Sequence, residues 1–568
     1  MEMPMLKRVW TRRQTVDAFG GLNRGARIGD GEFAQMENLC ADFYPALGPR
    51  PGRSLGQERQ VTALGAGEGL YYTQGQDLVL PQWRVKLGLT EEGPKTLVNM
   101  GAYVLVFPDK KYASTADPRD YGSMEACYPR GTPVTLTPCD LEGADRIPDF
   151  VQSTEPLQPA NRALWLDTSA SPNLLKEWSA GASLWVTVQT AYVRLSAPGI
   201  GADFQKYDGV TLTGTENLDG ANVIWAAERD LLVVSGVLEG QRVLEQGVEV
   251  LRSVPDMDYV TECGNRLWGC RFGPGPDGKM VNEIYASKLG DFRNFRCFMG
   301  LSTDSYTVGV GSQGPFTGAV TYLGSPIFFK EDCLYKIYGS YPAAFRVQST
   351  VCRGVQRGSS ESLAIVGETL FYRSPMGICA YDGSLPTEVG KALGDGPFGG
   401  GAGAGFGGRY FLSLREETGD ALYVLDTALG QWHREAGVGA VQLRFCQGKL
   451  YGLDGAGQLV TLRGRDSEEQ VAWSAKTGRI SGWDGKSQIL TGIELQMMLS
   501  RRAQAQVSVR YDDTGPWEVV GTMTGTDRRF SLPVRPKPCA HLELRLEGRG
   551  DMRLYSITRV YRQGRSGL

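Results

Sequence analysis

Short runs of Val, Leu, Tyr, Phe and Trp, each bounded by Gly, Asp or Pro, recur along the whole chain, and helical periodicity is hard to find in any window. Runs of that kind between turn residues predict strands joined by tight turns, so the expected fold class is all-β. Between about Val254 and Gly464 the runs share a form: a Gly or polar turn, two adjacent large residues, then a turn and a second strand. Gly324 to Phe329 leads into Cys333 to Tyr338, and Gly367 to Tyr372 into Ile378 to Asp382. Gly408 to Leu412 leads into Leu422 to Asp426, and Gly448 to Tyr451 into Gln458 to Leu462. The anchors Phe329, Tyr372, Phe411 and Tyr451 fall about 40 residues apart, the pitch of a four-stranded propeller blade. A blade cannot bury both faces alone, so repeats stacked around an axis hide each apolar face against a neighbour. Asn265 to Cys270, with Ile284 to Ser287 and Phe295 to Phe298, reads as a further unit, and Leu70 to Tyr72 and Tyr103 to Phe107 start earlier blades. The expectation is a β-propeller of roughly five to seven blades, with two unrelated β-sandwiches as the alternative.

The pitch is lost between about Pro108 and Pro255, where Pro- and Ser-containing stretches such as Gln152 to Asn161 read as linkers around an inserted unit. That unit is also β-rich. Trp185, Thr187 and Gln189 alternate with Val186, Val188 and Thr190, and Tyr207-Asp208-Gly209 supplies a turn before Val210 to Thr213. After about Ser467, Val507 and Val509 alternate with Ser508 and Arg510, and Leu542, Leu544 and Leu546 with Glu543 and Arg545, which implies a sheet with one wet face. The division expected is an N-terminal arm with the first propeller strand over 1–66 and the first part of the propeller over 67–115. An inserted β-rich domain over 116–253, the second part of the propeller over 254–466 and a C-terminal β-sandwich over 467–568 complete it.

Composition narrows the picture. A chain of 568 residues, 41% hydrophobic and 10% aromatic, has ample material for buried cores, and 75 glycines with 29 prolines demand frequent turns. The net charge of −3 favours neither a nucleic-acid-coating surface nor an acidic mimic. Lys7, Arg8, Arg12 and Arg13 open the chain without an apolar segment behind them, and no run suits a bilayer span, so synthesis in a cytosol without membrane insertion is expected. Eleven cysteines from Cys40 to Cys539, too sparse for a disulfide scaffold, are expected to be reduced and structural.

Candidate chemistry is thin. Two histidines, His433 and His541, argue against a histidine-rich metal site or a pair of catalytic imidazoles, and each reads as structural, His433 as a surface or satisfied side chain. No cysteine pair has CxxC spacing, and Cys263 with Cys270 is too widely spaced for a zinc knuckle. Gly403 to Gly408 spells a formal G-x-G-x-x-G but precedes the strand Tyr410 to Leu414 instead of a helix, so the stretch Gly394 to Gly408 reads as a flexible inter-blade loop. Gly485-Lys486-Ser487 resembles the end of a Walker A loop whose first Gly is replaced by Ile480. Asp512 and Asp513 sit in a hairpin turn with side chains expected on opposite faces, and Asp513 to Trp517 lacks the Ser and spacing of an Asp-box. Asp426 and Trp432 form the turn-and-anchor pair of a blade hairpin. No catalytic, cofactor or metal site is expected. From Arg501 to Arg565 basic residues exceed acidic ones by about six, and Arg549, Arg553, Arg559, Arg562 and Arg565 read either as a patch for nucleic acid or an acidic protein, or as a solvated sheet face.

The opening strings Phe19-Gly20-Gly21-Leu22-Asn23, Ile28-Gly29-Asp30-Gly31-Glu32, Met36-Glu37-Asn38-Leu39 and Tyr44-Pro45-Ala46-Leu47, with Arg50 and Arg53, resemble the N-terminal arm of bacteriophage structural proteins, in particular the nozzle or packaged-DNA stabilisation hub of short tails. The likeness continues through Asn265 to Gly269, Ile284 to Ser287, Phe328 to Glu331, Arg353-Gly354-Val355 and Tyr381-Asp382-Gly383, covering most of residues 15 to 465. The resemblance implies a non-enzymatic virion subunit, assembled in the bacterial cytoplasm into a ring of identical chains, six of them by the family pattern. Such a ring would join portal or adaptor proteins and tail fibres and pass genomic DNA without sequence specificity. Leu22, Ile28, Phe33, Met36 and Leu39 then offer apolar anchors to a neighbouring subunit, or equally form a strand that closes the propeller. An alternative from another class is a glycan-binding or glycan-cleaving propeller, suggested by 24 Tyr, 11 Trp and many loop aspartates.

Overall fold

In the computed structural model of the chain, residues 11–55, 60–394, 396, 398–463, 470–481, 488–513, 515–525 and 527–563 are described. They form strands and three short 3-10 turns, with no α-helix among them. Among the described residues, seven four-stranded antiparallel blades stand around one axis, six as separate sheets and the sixth blade as one end of a larger sheet. Their innermost strands are Val61–Ala66 (blade 1), Thr96–Met100 (blade 2), Tyr259–Glu262 (blade 3), Gly318–Tyr322 (blade 4), Ala364–Val366 (blade 5), Gly399–Phe406 (blade 6) and Ala440–Cys446 (blade 7). The seventh meets the first, so the ring is closed. Blade 7 takes its outer strand, Ser54–Leu55, from the start of the chain, which ties the ring shut.

The paired large residues explain the stacking. Phe328 and Phe329 are neighbours on one strand and therefore point to opposite faces. Phe328 joins Trp268 and Phe316 in the core between blades 3 and 4, while Phe329 meets Tyr372 of blade 5 at 5.2 Å. The next pair repeats the device, with Phe371 stacked on Tyr410 of blade 6 at 5.2 Å. Blades 4 and 5 thus each supply one large side chain to each neighbour, so neither of their faces is left wet.

Two expectations are corrected here. The glycine-rich stretch is no flexible loop: Gly399–Phe406 is the inner strand of blade 6. A Cβ on Gly403 would lie 2.5 Å from the Ser362 carbonyl oxygen, and one on Gly405 2.3 Å from that of Ile365. Backbone therefore packs directly on blade 5, and only glycine fits. The inserted domain begins later than 116, because Tyr121–Ser123 is the outer strand of blade 2, paired with Lys111–Ser114.

The insert combines an eight-stranded sheet, built from strands between Ala126–Tyr128 and Glu249–Arg252, with a four-stranded sheet running from Phe150–Gln152 to Leu184–Thr187. Trp185 holds the smaller sheet by edge contacts to Phe150, Trp165 and Trp178, and the strand stops at Thr187, short of Gln189 and Thr190. The C-terminal sandwich faces Gln488–Leu499 and Met552–Gln563 on one sheet against Gln504–Tyr511 and His541–Arg549 on the other.

The N-terminal arm is built into this framework. Thr11–Val16 pairs with Met552–Gln563, Leu22 lies opposite Trp432 in blade 6, and Glu32–Glu37 bridges Gly21–Leu22 to Ala472–Thr477. One sheet consequently runs from blade 6 through the arm into the sandwich. Leu22, Phe33, Met36 and Leu39 are buried in the shared core, and half-buried Ile28 packs against Gly478. These anchors are used within the chain, which corrects their placement as a docking arm for a neighbour.

Candidate functional site

The axis is braced by side chains. Gln442 of blade 7 accepts from the Leu64 amide of blade 1 at 2.6 Å, donates to the Lys95 carbonyl beside blade 2 at 3.1 Å, and reaches Glu361 ahead of blade 5 at 3.4 Å. Glu361 is ion-paired to Arg444 at 2.9 Å, and Lys95 to Asp109 at 2.6 Å with both side chains buried. On the seven described inner strands the one carboxylate is Glu262, which accepts from the Asn265 amide in a turn. Acid–base work at a glycosidic bond needs two carboxylates on either side of it. Among the described residues, the inner strands do not bring such a pair together.

A second place does collect uncommitted chemistry. The long hairpin of blade 3, Leu267–Pro274 with Met280–Ala286, rises beside the insert, and between them lies a cavity of about 760 Å³. The seam is fixed by polar stitches. Asn294 donates to the Tyr207 carbonyl at 2.7 Å and accepts from the Gly209 amide at 3.2 Å, and the Lys288 ammonium stands over the Tyr207 ring at 4.8 Å. A Cβ at Gly209 would sit 2.3 Å from the Arg296 backbone, so this contact requires glycine. Beneath it the buried Arg252 and Asp208 pair at 2.5 Å. Burial raises the Asp208 carboxyl above its ordinary range although Arg252 opposes it. With a side chain only 1% exposed, Asp208 serves the seam rather than a ligand.

Within the cleft most charges are neutralised. Lys110 binds Asp256 at 2.8 Å and Glu125 at 2.9 Å and donates to the Val254 carbonyl, and Arg271 pairs with Asp258 at 2.7 Å. Glu283 and Tyr285 project from one face of the same strand, with buried Ile284 and Ala286 on the other. The Tyr285 phenol donates to Glu283, and burial first and that carboxylate second push the phenol upward. Arg296 donates to the Thr211 hydroxyl of the insert at 2.9 Å. Among the described residues, neither Glu283 nor Arg296 has an ion-pair partner. Phe298 lies at the rim, 57% exposed. Apolar surface with a few convergent polar groups at a domain junction is the usual composition of a small-molecule site.

The residues singled out from the sequence lie elsewhere. Arg559 is buried and ion-paired to Asp30, Arg553 binds Asp551 at 2.8 Å and covers the Phe43 ring, and Arg549 and Arg562 are exposed on opposite sheets of the sandwich. Arg565, like Gly485 to Ser487, is outside the described residues. Strand alternation and acidic partners thus divide the basic residues, and the described ones form no single patch. His433 is neither surface nor satisfied: it is 1% exposed, and both ring nitrogens lack a partner among the described residues. Asp512 and Asp513 do not diverge, because both have positive φ in the turn, and both lie near His541, Asp513 at 3.0 Å. Glu283, Arg296 and Phe298 were missed. The one trace of them in the sequence is the alternation of Glu283 and Tyr285 with Ile284 and Ala286, which marks a wet strand face but not what stands opposite it.

No protein-family model and no curated protein matches the chain. Several of the solved structures with some likeness to it are glycoside hydrolases, and another is the extracellular domain of a putative hybrid two-component system. An engineered family 43 enzyme with endo-xylanase and exo-arabinofuranosidase activity is 10% identical, over 54% of this chain and 97% of its own, at a TM-score of 0.19. A family 43 arabinoxylan arabinofuranohydrolase from Bacillus subtilis is 8% identical over 53% and 94%, at 0.16. An exo-β-1,3-galactanase from Phanerochaete chrysosporium is 11% identical over 74% and 97%, at 0.14. The expectation of a chain without enzymatic activity is corrected at this point, because glycoside hydrolases stand among these structures, and it is not carried further. Likenesses this slight place neither a substrate nor a catalytic residue on the chain, so the site rests on its own side chains.

Proposed function

We infer that the chain is a glycan-directed β-propeller whose working surface is the cleft between blade 3 and the insert. The observation that carries this is the convergence on one cavity of an exposed aromatic ring, Phe298, with two hydrogen-bonding groups free of counter-ions, Glu283 and Arg296. A sugar ring has an apolar face that lies against an aromatic side chain and a rim of hydroxyls that both donate and accept. Glu283 takes the donors and Arg296 the acceptors. The two carboxylates facing this cavity for acid–base chemistry at a glycosidic bond are Asp256 and Glu283.

The test is a panel of immobilised oligosaccharides probed with the full chain and with Phe298→Ala. The wild type is expected to bind at least one member, and the variant about tenfold more weakly, a difference of about 1.4 kcal/mol, with an unchanged melting temperature. Reducing ends released from the same panel are counted in parallel, and Glu283→Gln is expected to lower any release by about 10²–10⁴-fold. A wild type that binds nothing, or a variant that binds equally well, removes the reading.

A second reading, favoured by the strings from Phe19 to Leu47 that resemble phage tail proteins, makes the same chain a ring-forming tail subunit that contacts portal, fibres and passing DNA. It is compatible with a glycan-directed cleft. Its measurement is the copy number of the chain in purified particles: about six per portal ring is expected from the resemblance, and absence from particles ends it.

A further inference from the structure

We propose that the cleft selects uncharged saccharides and turns away those bearing carboxylate or sulfate groups. The inference rests on the glycan-directed reading above and names the class of ligand within it.

Every cation at the cleft except one already has an acidic partner. Lys110 lies between Asp256 and Glu125, and Arg271 is held by Asp258 while standing directly across the strand pair from Glu283. The remaining cation, Arg296, shares the cavity with Glu283, which likewise has no ion-pair partner among the described residues. Asp256 has a side chain 66% exposed despite its bond to Lys110, so its carboxylate still faces solvent and ligand. An anionic sugar that reached Arg296 would bring its charge toward the two carboxylates Glu283 and Asp256, with Arg296 the single cation of the lining not already held by an acidic partner. Like charges brought together in a partly desolvated site are strongly disfavoured, and such repulsion is a common source of specificity. A neutral sugar meets no such obstacle. Its hydroxyls donate to Glu283 and Asp256 and accept from Arg296, and Lys110 holds Asp256, the Tyr285 phenol Glu283 and the Thr211 hydroxyl Arg296 beforehand.

The seam supports the same conclusion from another side. Arg296 is fixed by the Thr211 hydroxyl, and its backbone lies against Gly209. One hydrogen bond thus restrains this exposed guanidinium at the cleft.

The experiment compares two probe sets on the full chain by calorimetric titration: neutral xylo-, galacto- and gluco-oligosaccharides of matched length, and the corresponding oligo-uronates. Neutral oligosaccharides are expected to bind at least tenfold more tightly than their uronate counterparts, with little dependence on salt. Glu283→Gln, which keeps the side-chain shape, is expected to narrow that ratio several-fold, and Asp256→Asn provides an independent second variant. Uronates that bind as well as or better than the neutral set, or a ratio that neither variant changes, overturn the selectivity while leaving the cleft as a glycan site. Failure of both sets to bind removes the glycan-directed reading itself.

Discussion

Replacing Glu435 with alanine is expected to lower the unfolding free energy by about 3–5 kcal/mol, because it leaves two buried guanidinium groups without their partner. Glu435 lies on the outer strand of blade 6 with a fully buried side chain. Arg463 of blade 7 binds it from one side and Arg53, just before the strand that closes blade 7, binds it at 2.7 Å from the other. The triad thus joins two blades and the closing segment of the ring. Burial alone works against the Glu435 charge, but Arg463 and Arg53 more than offset it and hold the carboxyl down to about 2. Its folded pKa lies below the unfolded value, so the contribution is complete above about pH 4.5 and is lost as pH falls toward 2. Urea unfolding at neutral pH measures the effect. A loss within about 0.5 kcal/mol, the range of ordinary surface changes, would mean that the triad does not hold the closure.

His433 is expected to give the chain a stability that declines between pH 6.5 and 4. The ring is enclosed where the arm meets blade 6, and a Cβ on Gly21 would lie 3.2 Å from it. Burial lowers its pKa to about 4, Arg409 adds to that, and Glu435, Asp426 and Asp42 oppose it. The unfolded chain accepts a proton near pH 6.5 that the folded chain refuses until about 4. Stability is therefore present in full above 6.5 and falls as pH drops through that interval, by up to about 3 kcal/mol. In His433→Leu the decline between pH 7.5 and 5 is expected to flatten, because that group no longer titrates. A wild-type chain with no slope in this range, or a variant with the same slope, would show that the ring is reached by water.

The parts of the fold readable from sequence are those where local pattern and tertiary burial agree. The pairs Phe328-Phe329 and Phe371-Tyr372 must bury in opposite directions, so their spacing carried the blade pitch. Where the two conflict, the sequence misleads. The inner strand Gly399–Phe406 looks like a loop because close backbone approach, not side-chain packing, decides its composition. The apolar residues of the arm are legible as anchors, yet their partners are hundreds of positions away: Leu22 meets Trp432, and Phe33 lies opposite Thr477. The cleft was harder still. Lys110, Asp256, Glu283 and Arg296 come from separate segments, and each alone looks like an ordinary surface charge. They line one cavity beside the insert, which docks there through Asn294, Tyr207 and Gly209.

The most direct measurement is a crystal structure of the full chain soaked with the tightest-binding neutral oligosaccharide. The account predicts sugar density in the seam between blade 3 and the insert, with a ring against Phe298 and hydroxyls on Glu283 and Arg296. Density on the propeller axis near Glu361 and Arg444 instead, with the seam empty, would contradict it.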